Sequence, residues 1–230
     1  MKINKYKWLL FDVDDTLFDF EKTESNALIW TLKDFEIEFN TSYPPLYAKY
    51  NQQVWQEFER GELSALALRE KRFRLFFDAL SLDIDISAVS RQYLANLARG
   101  TDLIEGALEV INYCTAEKIR VALVTNGLAE VQLPRLKNSK LNNCFEKIFI
   151  SEQMGFAKPS IEFFEQVFSN ISQPSRSDVM IIGDSISSDI KGGIDFGIDT
   201  CWFNQKGSKS DLPMTYSISK LIELLPILKQ

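Results

Sequence analysis

Residues 8–16 read WLLFDVDDT, an apolar run that ends at an acidic turn. The apolar half, Trp8–Phe11, has the length and composition of a buried strand. Asp12 and Asp14 follow directly, and side chains two residues apart on an extended chain lie on the same side of it. Paired carboxylates suit a nucleophile with an acid–base partner, or a site for a hard metal ion. An acidic turn or a helix cap has the same pattern.

Four more short runs are apolar and bounded by polar turn residues, namely Val121–Val124, Ile148–Ile150, Val179–Ile182 and Thr200–Phe203. None alternates cleanly between apolar and polar residues, which is typical of parallel strands that are covered on both faces. Helical patterns separate these runs, and one of them, Ile161–Phe168, follows Ser160 as a candidate cap. This order predicts an α/β fold, a doubly wound parallel sheet with a Rossmann-like core.

Two helical patterns near the predicted strands have special features. Residues 128–136 contain Pro134, which predicts a kink or an early end of that helix because proline lacks a backbone N–H. Residues 218–228 are amphipathic and predict a C-terminal helix.

The stretch from residue 21 to residue 99 contains no convincing strand pattern. Apolar side chains recur there at helical spacing, as at Phe73, Phe76 and Phe77, and predict about four helices. A crossover of this length far exceeds an ordinary connection between strands, so we expect a separate helical cap. The predicted division is a core domain of residues 1–17 and 100–230 with a cap of residues 18–99.

Three further polar motifs follow predicted strands, at the edge where open α/β sheets bind ligands. Thr125-Asn126-Gly127 offers a hydroxyl and backbone N–H groups that suit an anion. Lys158, followed by a proline, can present a positive charge to a phosphate. Asp184 and Asp189 can complete and orient a Mg²⁺ site. Each motif alone also fits a structural part, as a capped turn, a surface lysine or an N-cap aspartate, but their joint occurrence in this order favours a functional site.

The composition narrows the possible chemistry. The chain has 230 residues, with 32 acidic and 26 basic side chains and a formal net charge of -6, so we expect no polymeric nucleic-acid partner. The absence of histidine excludes Ser-His-Asp and Cys-His triads, HExxH zinc sites and histidine bases. Carboxylates, lysine, hydroxyls or an oxygen-ligated metal must therefore carry any catalysis.

The cysteines and the N-terminal region favour a cytoplasmic protein. Cys114, Cys144 and Cys201 are scattered and form no CxxC pair, as expected for reduced thiols. Asp12 cuts the apolar run at Trp8–Phe11, which is shorter than the about 7–15 residues of a secretory signal. No apolar run approaches the ~18 residues that span a bilayer. We expect a soluble, cytoplasmic monomer with no membrane partner.

The motifs FDVDDTL, VTNG, AKPS and GDSISSDI, in this order, resemble the four motifs of the haloacid dehalogenase-like (HAD) hydrolase superfamily. The resemblance covers essentially the whole chain, because the helical insertion falls where the family carries its C1 cap. It implies a Mg²⁺-dependent phosphomonoester hydrolase that acts through an aspartyl-phosphate intermediate.

The resemblance also implies roles for individual residues. Asp12 is similar to the family's nucleophile, and Asp14 to the residue that acts first as general acid and then as general base. The phosphate- and substrate-binding residues that it implies are Thr125, Asn126, Gly127 and Lys158, of which Thr125 and Lys158 also count as catalytic. The implied magnesium ligands are Asp12, Asp14 through its carbonyl oxygen, and Asp184, supported by Thr16 and Asp189.

Within the superfamily, the chain resembles the pyrimidine 5'-nucleotidase branch, which dephosphorylates nucleoside monophosphates such as dUMP, UMP and dTMP. The features that carry this resemblance are Trp55, residues 61–64 and Arg72-Phe73 in the predicted cap, and residues 191–193, Gly197 and residues 200–204 in the core. The aromatic candidates to stack on a base or to seal the cap are Phe18, Phe20, Tyr47, Trp55 and Phe58, although aromatic residues at helical spacing more often form a core.

Other activities are compatible with the same fold. A broad small-molecule or sugar phosphatase, or a phosphomutase, needs the same motifs. A 2-haloacid dehalogenase uses the same nucleophile without a metal, but the family's dehalogenases lack the aspartate that Asp14 represents. A phosphoacceptor regulator also combines acidic residues, threonine and lysine around Mg²⁺, but it is about half this length and has no helical insertion.

Overall fold

The computed structural model describes residues 5–229, which form two compact units. The sheet unit comprises residues 5–19, 101–129 and 136–229, and the helical unit comprises residues 20–100 and 130–135. The role of residues 18–99 as an inserted cap stays a prediction.

The helical unit contains four long helices, α1 (Phe20–Asp34), α2 (Tyr43–Glu59), α3 (Ala65–Ala79) and α4 (Ile86–Leu97). Ser64 and Asp85 cap α3 and α4, because their side-chain oxygens accept backbone N–H groups of the first turn. Buried rings fill the interior, and the ring centroids of Tyr47, Phe73 and Tyr93 lie 5.0–5.3 Å from one another. The predicted run of helices without a strand is confirmed for residues 20–100.

The sheet unit contains six strands, β1 (Trp8–Phe11), β2 (Arg120–Thr125), β3 (Lys147–Ile150), β4 (Val179–Gly183), β5 (Asp199–Phe203) and β6 (Tyr216–Ile218). All neighbours pair in parallel, in the order β3-β2-β1-β4-β5-β6. Such a sheet grows outward from β1 in both directions, as a doubly wound fold does. The predicted α/β fold is confirmed.

Five further helices belong to the sheet unit, α5 (Ala107–Ala116), α7 (Ser151–Met154), α8 (Ile161–Asn170), α9 (Lys191–Phe196) and α10 (Leu224–Leu228). A sixth, α6 (Ala129–Asn138), has residues 130–135 in the helical unit and its ends in the sheet unit. Leu9 and Phe11 of β1 belong to one apolar core, and Trp8 and Leu10 belong to a second one. Because alternate residues of a strand lie on opposite faces, both faces of the sheet are buried. Within residues 5–229, no helix is both long enough and apolar enough to cross a bilayer.

The central strands end at the same level. Phe11, the last residue of β1, is in register with Leu123 of β2 and Ile182 of β4. The backbone N–H of Asp12 continues this pairing, since it donates to the carbonyl oxygen of Ile182 at 2.9 Å. The loops that follow β1, β2 and β4 therefore meet at one edge of the sheet, and this edge carries the acidic motifs.

Three details differ from the sequence-based expectations. α6 does not end early but runs past Pro134 to Asn138, so of the two predicted effects of this proline only the kink stays a prediction. The predicted C-terminal helix over residues 218–228 is broken, since Ile218 ends β6, a 3-10 turn covers Leu221–Glu223 and α10 is short. β6 has no counterpart among the predicted strands, because three residues at a sheet edge carry little periodic signal.

Candidate active site

Asp12 lies directly after β1 and is almost completely buried. Its Oδ1 atom accepts a hydrogen bond from Nζ of Lys158 at 2.6 Å. Buried carboxylates are costly unless a cation or several donors compensate their charge. Asp12 is therefore a buried carboxyl group paired with a cation at the carboxyl edge of the sheet, and it is not simply an acidic turn at the surface.

Lys158 is buried to the end of its side chain, with 1% of it exposed. Its Nζ atom donates to Oδ1 of Asp12 at 2.6 Å, to Oδ1 of Asp189 at 2.6 Å and to the carbonyl oxygen of Val124 at 2.8 Å. An ammonium group has three protons, and all three are used here. The lysine is thus fixed among two carboxylates, and the alternative of a surface lysine is wrong.

The loop after β4 carries two more carboxylates. Asp189 lies in a single π-helical turn, Ile186–Ile190, and is completely buried. Its Oδ2 atom accepts the backbone N–H of Ser185 at 3.2 Å. A Cβ atom on Gly183 would lie 2.1 Å from that Oδ2, so only glycine lets the carboxylate approach the end of β4. Single π-helical turns are rare and occur frequently at functional sites.

Asp184 begins this loop and is partly buried. Its backbone carbonyl accepts the indole N–H of Trp202, on the neighbouring strand β5, at 2.8 Å. One carboxylate oxygen from each of Asp12, Asp184 and Asp189 lies within 4.8 Å of the others. The structure therefore brings together the acidic residues of two motifs that are separated by about 170 positions in the chain.

In the motif after β2, Thr125 and Asn126 make different kinds of contact. Oγ1 of Thr125 accepts the backbone N–H of Gly127 at 2.9 Å, which leaves the hydroxyl proton of Thr125 to donate to an anion. The side-chain amide of Asn126 is occupied on both sides, since its Nδ2 donates to the carbonyl oxygen of Lys158 and its Oδ1 accepts the Lys158 backbone N–H. The turn thus connects β2 to the loop that carries the lysine.

The remaining predicted residues of the first motif lie in the same loop. Asp14 is partly buried and forms a short parallel bridge with Phe18. Thr16 is completely buried, and its Oγ1 has no hydrogen-bond partner in the described part of the chain. The roles expected for Asp14 as general acid and base, and for Thr16 as a supporting residue, stay predictions.

Two of the five aromatic candidates for base stacking are core residues. Phe18 is buried in an apolar core of the sheet unit, and Tyr47 packs among the rings inside the helical unit. Their burial agrees with the core role that aromatic residues at helical spacing more often have, because neither ring has an exposed face. Trp55 and Phe58, which pack edge to face at 5.6 Å, and Phe20 are only partly buried.

The electrostatics of the site follow from burial and crowded charge. Burial raises the pKa of Asp12 to about 8, with help from the negative charges of Asp189 and Asp14 and against the opposing effect of Lys158. Burial also raises the pKa of Asp184 to about 9, and the charges of Asp12 and Asp189 act in the same direction. Burial alone would lower the pKa of Lys158, but its two carboxylate partners outweigh that effect and raise it.

These observations test whether the site suits a divalent metal ion. Three carboxylates cluster around one lysine ammonium, so a further positive charge would be stabilised among them. Mg²⁺ prefers carboxylate oxygens and binds through one or two of them. Both carboxylate oxygens of Asp189 already accept hydrogen bonds, one from Lys158 and one from the Ser185 N–H. Asp12 and Asp184 are therefore the better candidates for metal ligands. The donor set fits a hard divalent cation.

The motifs alone did not indicate several groups that shape the site. The carbonyl of Val124 and the backbone N–H of Ser185 have no side-chain signal, because every residue carries such groups. Trp202 stood out only through family resemblance, and its contact with Asp184 depends on the pairing of β4 with β5.

Comparison with known proteins identifies relatives over the whole chain. Residues 9–203 match the sequence model of the haloacid dehalogenase-like hydrolase family. The protein YfnB of Bacillus subtilis is 37% identical over 228 residues, which cover 98% of this chain and 97% of that protein. Its crystal structure, described as bound to magnesium, superposes with a TM-score of 0.93 over 98% of this chain and 100% of that chain.

Two further relatives are named as pyrimidine 5'-nucleotidases. PynA of Streptococcus pneumoniae is 34% identical over 199 residues, covering 86% of this chain and 84% of that protein. YjjG of Escherichia coli is 29% identical over 226 residues, covering 97% of this chain and 98% of that protein. The matches to YfnB and YjjG are long enough to include the segments that build the acidic cluster.

Proposed function

The chain belongs to the haloacid dehalogenase-like hydrolase family and is a phosphatase, and from this premise we propose that it hydrolyses pyrimidine nucleoside 5'-monophosphates with Mg²⁺, through an aspartyl phosphate on Asp12. The observation that carries the mechanism is the position of Asp12. Its carboxylate contacts Lys158 at 2.6 Å and lies within 4.8 Å of an Asp184 oxygen, so a nucleophile, a cation and a metal ligand share one small space.

In the first step, a carboxylate oxygen of Asp12 attacks the phosphorus atom and the bond to the nucleoside oxygen breaks. Asp14 gives its proton to that departing oxygen, which leaves as the nucleoside hydroxyl. In the second step, Asp14 takes a proton from a water molecule that attacks phosphorus. The bond between phosphorus and the Asp12 oxygen breaks, which releases inorganic phosphate and regenerates the Asp12 carboxylate. Splitting the reaction in two replaces one very slow hydrolysis by two easier transfers.

Both steps bring an anionic phosphate against a cluster of carboxylates. The ammonium of Lys158 offsets this repulsion in a buried environment where charges interact strongly. The hydroxyl proton of Thr125 can donate to a phosphate oxygen, since its Oγ1 is itself an acceptor for the Gly127 N–H. Asp12, Asp184 and the Asp14 carbonyl oxygen would hold Mg²⁺, which supplies positive charge to the phosphate oxygens when it is bound.

Removing divalent metal is expected to stop phosphate release, and adding Mg²⁺ back is expected to restore it. The physical reason is the negative charge that Lys158 alone does not balance. Phosphate release is measured after dialysis against EDTA and then with increasing Mg²⁺. Thermal unfolding of the same samples should show a higher midpoint with Mg²⁺, because a ligand that binds only the folded chain stabilises it. Full activity in chelator would exclude the metal role.

The substrate preference is tested on a panel of phosphomonoesters. We expect dUMP, UMP and dTMP to be hydrolysed with kcat/KM roughly ten-fold or more above purine nucleotides and sugar phosphates, a difference of about 1.4 kcal/mol in transition-state binding. The Asp12→Asn protein, purified in parallel, measures any contaminating phosphatase. A flat profile would contradict the pyrimidine preference and leave a broad phosphatase. Transfer of phosphate between sugar hydroxyls instead of to water would indicate a phosphomutase.

A further inference from the structure

The side chain of Asn126 is bound to the main chain of Lys158 by two hydrogen bonds. Its Nδ2 donates to the Lys158 carbonyl oxygen at 2.8 Å, and its Oδ1 accepts the Lys158 N–H at 2.9 Å. The two residues are 32 positions apart, so this pair joins the turn after β2 to the loop before α8. Asn126 is itself held, because its carbonyl oxygen accepts the hydroxyl of Ser151 at 3.3 Å.

The two hydrogen bonds from Asn126 fix the backbone of Lys158, and the acceptors around Nζ fix the end of its side chain. The Nζ atom has three acceptors, of which two are carboxylates that repel each other and one is the carbonyl of Val124. The four-carbon stem of a lysine is flexible, so its ammonium is positioned most precisely when both the backbone and the head are held. The Asn126 amide is the only described side chain that holds the Lys158 backbone on both its N–H and its carbonyl side.

We propose that Asn126 is a positioning residue that sets the place of the Lys158 ammonium and, through it, the affinity of the site for phosphate. This inference rests on the proposed function, in which the positive charge of Lys158 offsets the repulsion between the phosphate and the carboxylates. It assigns the Asn126 side chain to the lysine and not to the substrate. An amide that turned toward a ligand would leave the Lys158 N–H and carbonyl without these two partners, at a cost for each buried group.

The test is a double-mutant cycle that uses inorganic phosphate as the probe. Dissociation constants are measured by calorimetry, with Mg²⁺ present, for the wild type, Asn126→Ala, Lys158→Ala and the double variant. We expect Asn126→Ala to weaken phosphate binding by roughly ten-fold. In the chain that already lacks Lys158, the same change should alter the affinity by less than about two-fold, because a residue that acts through the lysine has nothing left to position.

The matched control is Asn204, whose amide makes the same reciprocal pair with another backbone. Its Nδ2 donates to the Ser208 carbonyl and its Oδ1 accepts the Ser208 N–H, both at 2.9 Å. Asn204→Ala removes an equivalent pair of bonds that does not involve Lys158, so we expect unchanged phosphate affinity. Hydrogen exchange adds a direct readout, since the Lys158 amide should lose protection in Asn126→Ala and keep it in Asn204→Ala.

Different outcomes separate the inference from the proposed function. Native phosphate affinity in Asn126→Ala would overturn the inference alone. An equal loss with and without Lys158 would also overturn it, because Asn126 would then contact phosphate independently. Native affinity in Lys158→Ala would overturn the phosphate-binding part of the proposed function and the inference with it. If Asn126→Ala does not fold, Asn126→Ser, whose side chain is too short to span both Lys158 groups, takes its place under the same criteria.

Discussion

Asp12→Asn is expected to abolish phosphate release while the protein stays folded. Asparagine has the shape of aspartate, and its amide oxygen can still accept from Lys158, which keeps Asp189 as a second partner. The amide is not a nucleophile, so no aspartyl phosphate forms. We expect the turnover rate to fall by about 10⁴-fold or more, as losses of a catalytic nucleophile do. Phosphate release and thermal unfolding, measured on the same preparation, check both halves of this expectation.

The matched control for this change is Asp195→Asn in the same unit. Asp195 is exposed and pairs with Lys191 on the surface of α9. Its replacement removes the same negative charge without touching the buried cluster, so activity should stay near the wild-type value. Retention of more than a few per cent of activity in Asp12→Asn would contradict the assignment of Asp12 as the nucleophile.

Lys158→Met is expected to cause the largest loss of stability among single replacements at the site. Methionine has a similar length but no charge, so two buried carboxylates lose the cation that both contact at 2.6 Å. Breaking a buried ion pair by removing one partner typically costs about 3–5 kcal/mol. We expect a loss of that size in the free energy of unfolding at about pH 8 with chelator present, measured with urea.

The loss should depend on pH in a defined direction. The pKa of Asp12 is already raised to about 8 and that of Asp184 to about 9, chiefly by burial, and removal of Lys158 raises them further. A carboxyl group whose pKa is higher in the folded state favours folding at low pH, and that contribution is lost as the pH rises through the folded pKa. The deficit of Lys158→Met should therefore be largest near about pH 9 and shrink toward about pH 5.

Lys191→Met provides the control for burial. Lys191 pairs with Asp195 one helical turn away, and both side chains are largely exposed. Exposed pairs of this kind contribute about 0.5 kcal/mol or less, so the free energy of unfolding should hardly change. If the two lysine variants lose equal stability, or if the Lys158→Met deficit is the same at both pH values, the buried charge cluster does not behave as described.

The sheet was readable from the sequence because its strands are buried on both faces. Trp8–Phe11 is predicted and observed with the same bounds, since Lys7 and Asp12 limit this short apolar run on both sides. The edge strand β6 lacks this signal, because its middle residue is exposed and it pairs on one side only. The segment after β6 contains Pro226 and closely spaced apolar residues. Tertiary packing decides which part of it forms a 3-10 turn and which part forms α10.

The site was predictable as a set of residues but not as a set of contacts. Parallel strands that end level must bring their following loops together, so the meeting of Asp12 with Asp184 follows from strand order. The placement of Lys158 among two carboxylates and the Val124 carbonyl does not follow, because it depends on how a loop far along the chain packs. The hydrogen bonds between the Asn126 side chain and the Lys158 backbone depend on the same loop packing.

The most direct measurement of the central claim is chemical trapping of the phosphorylated enzyme. The protein turning over a nucleoside monophosphate with Mg²⁺ is quenched in acid and reduced with borohydride, which converts an aspartyl phosphate into homoserine, and its peptides are examined by mass spectrometry. The account predicts homoserine at position 12 only when substrate was present, and none in Asp12→Asn. Reduction at a different residue, or an unreduced Asp12 throughout steady turnover, would contradict it.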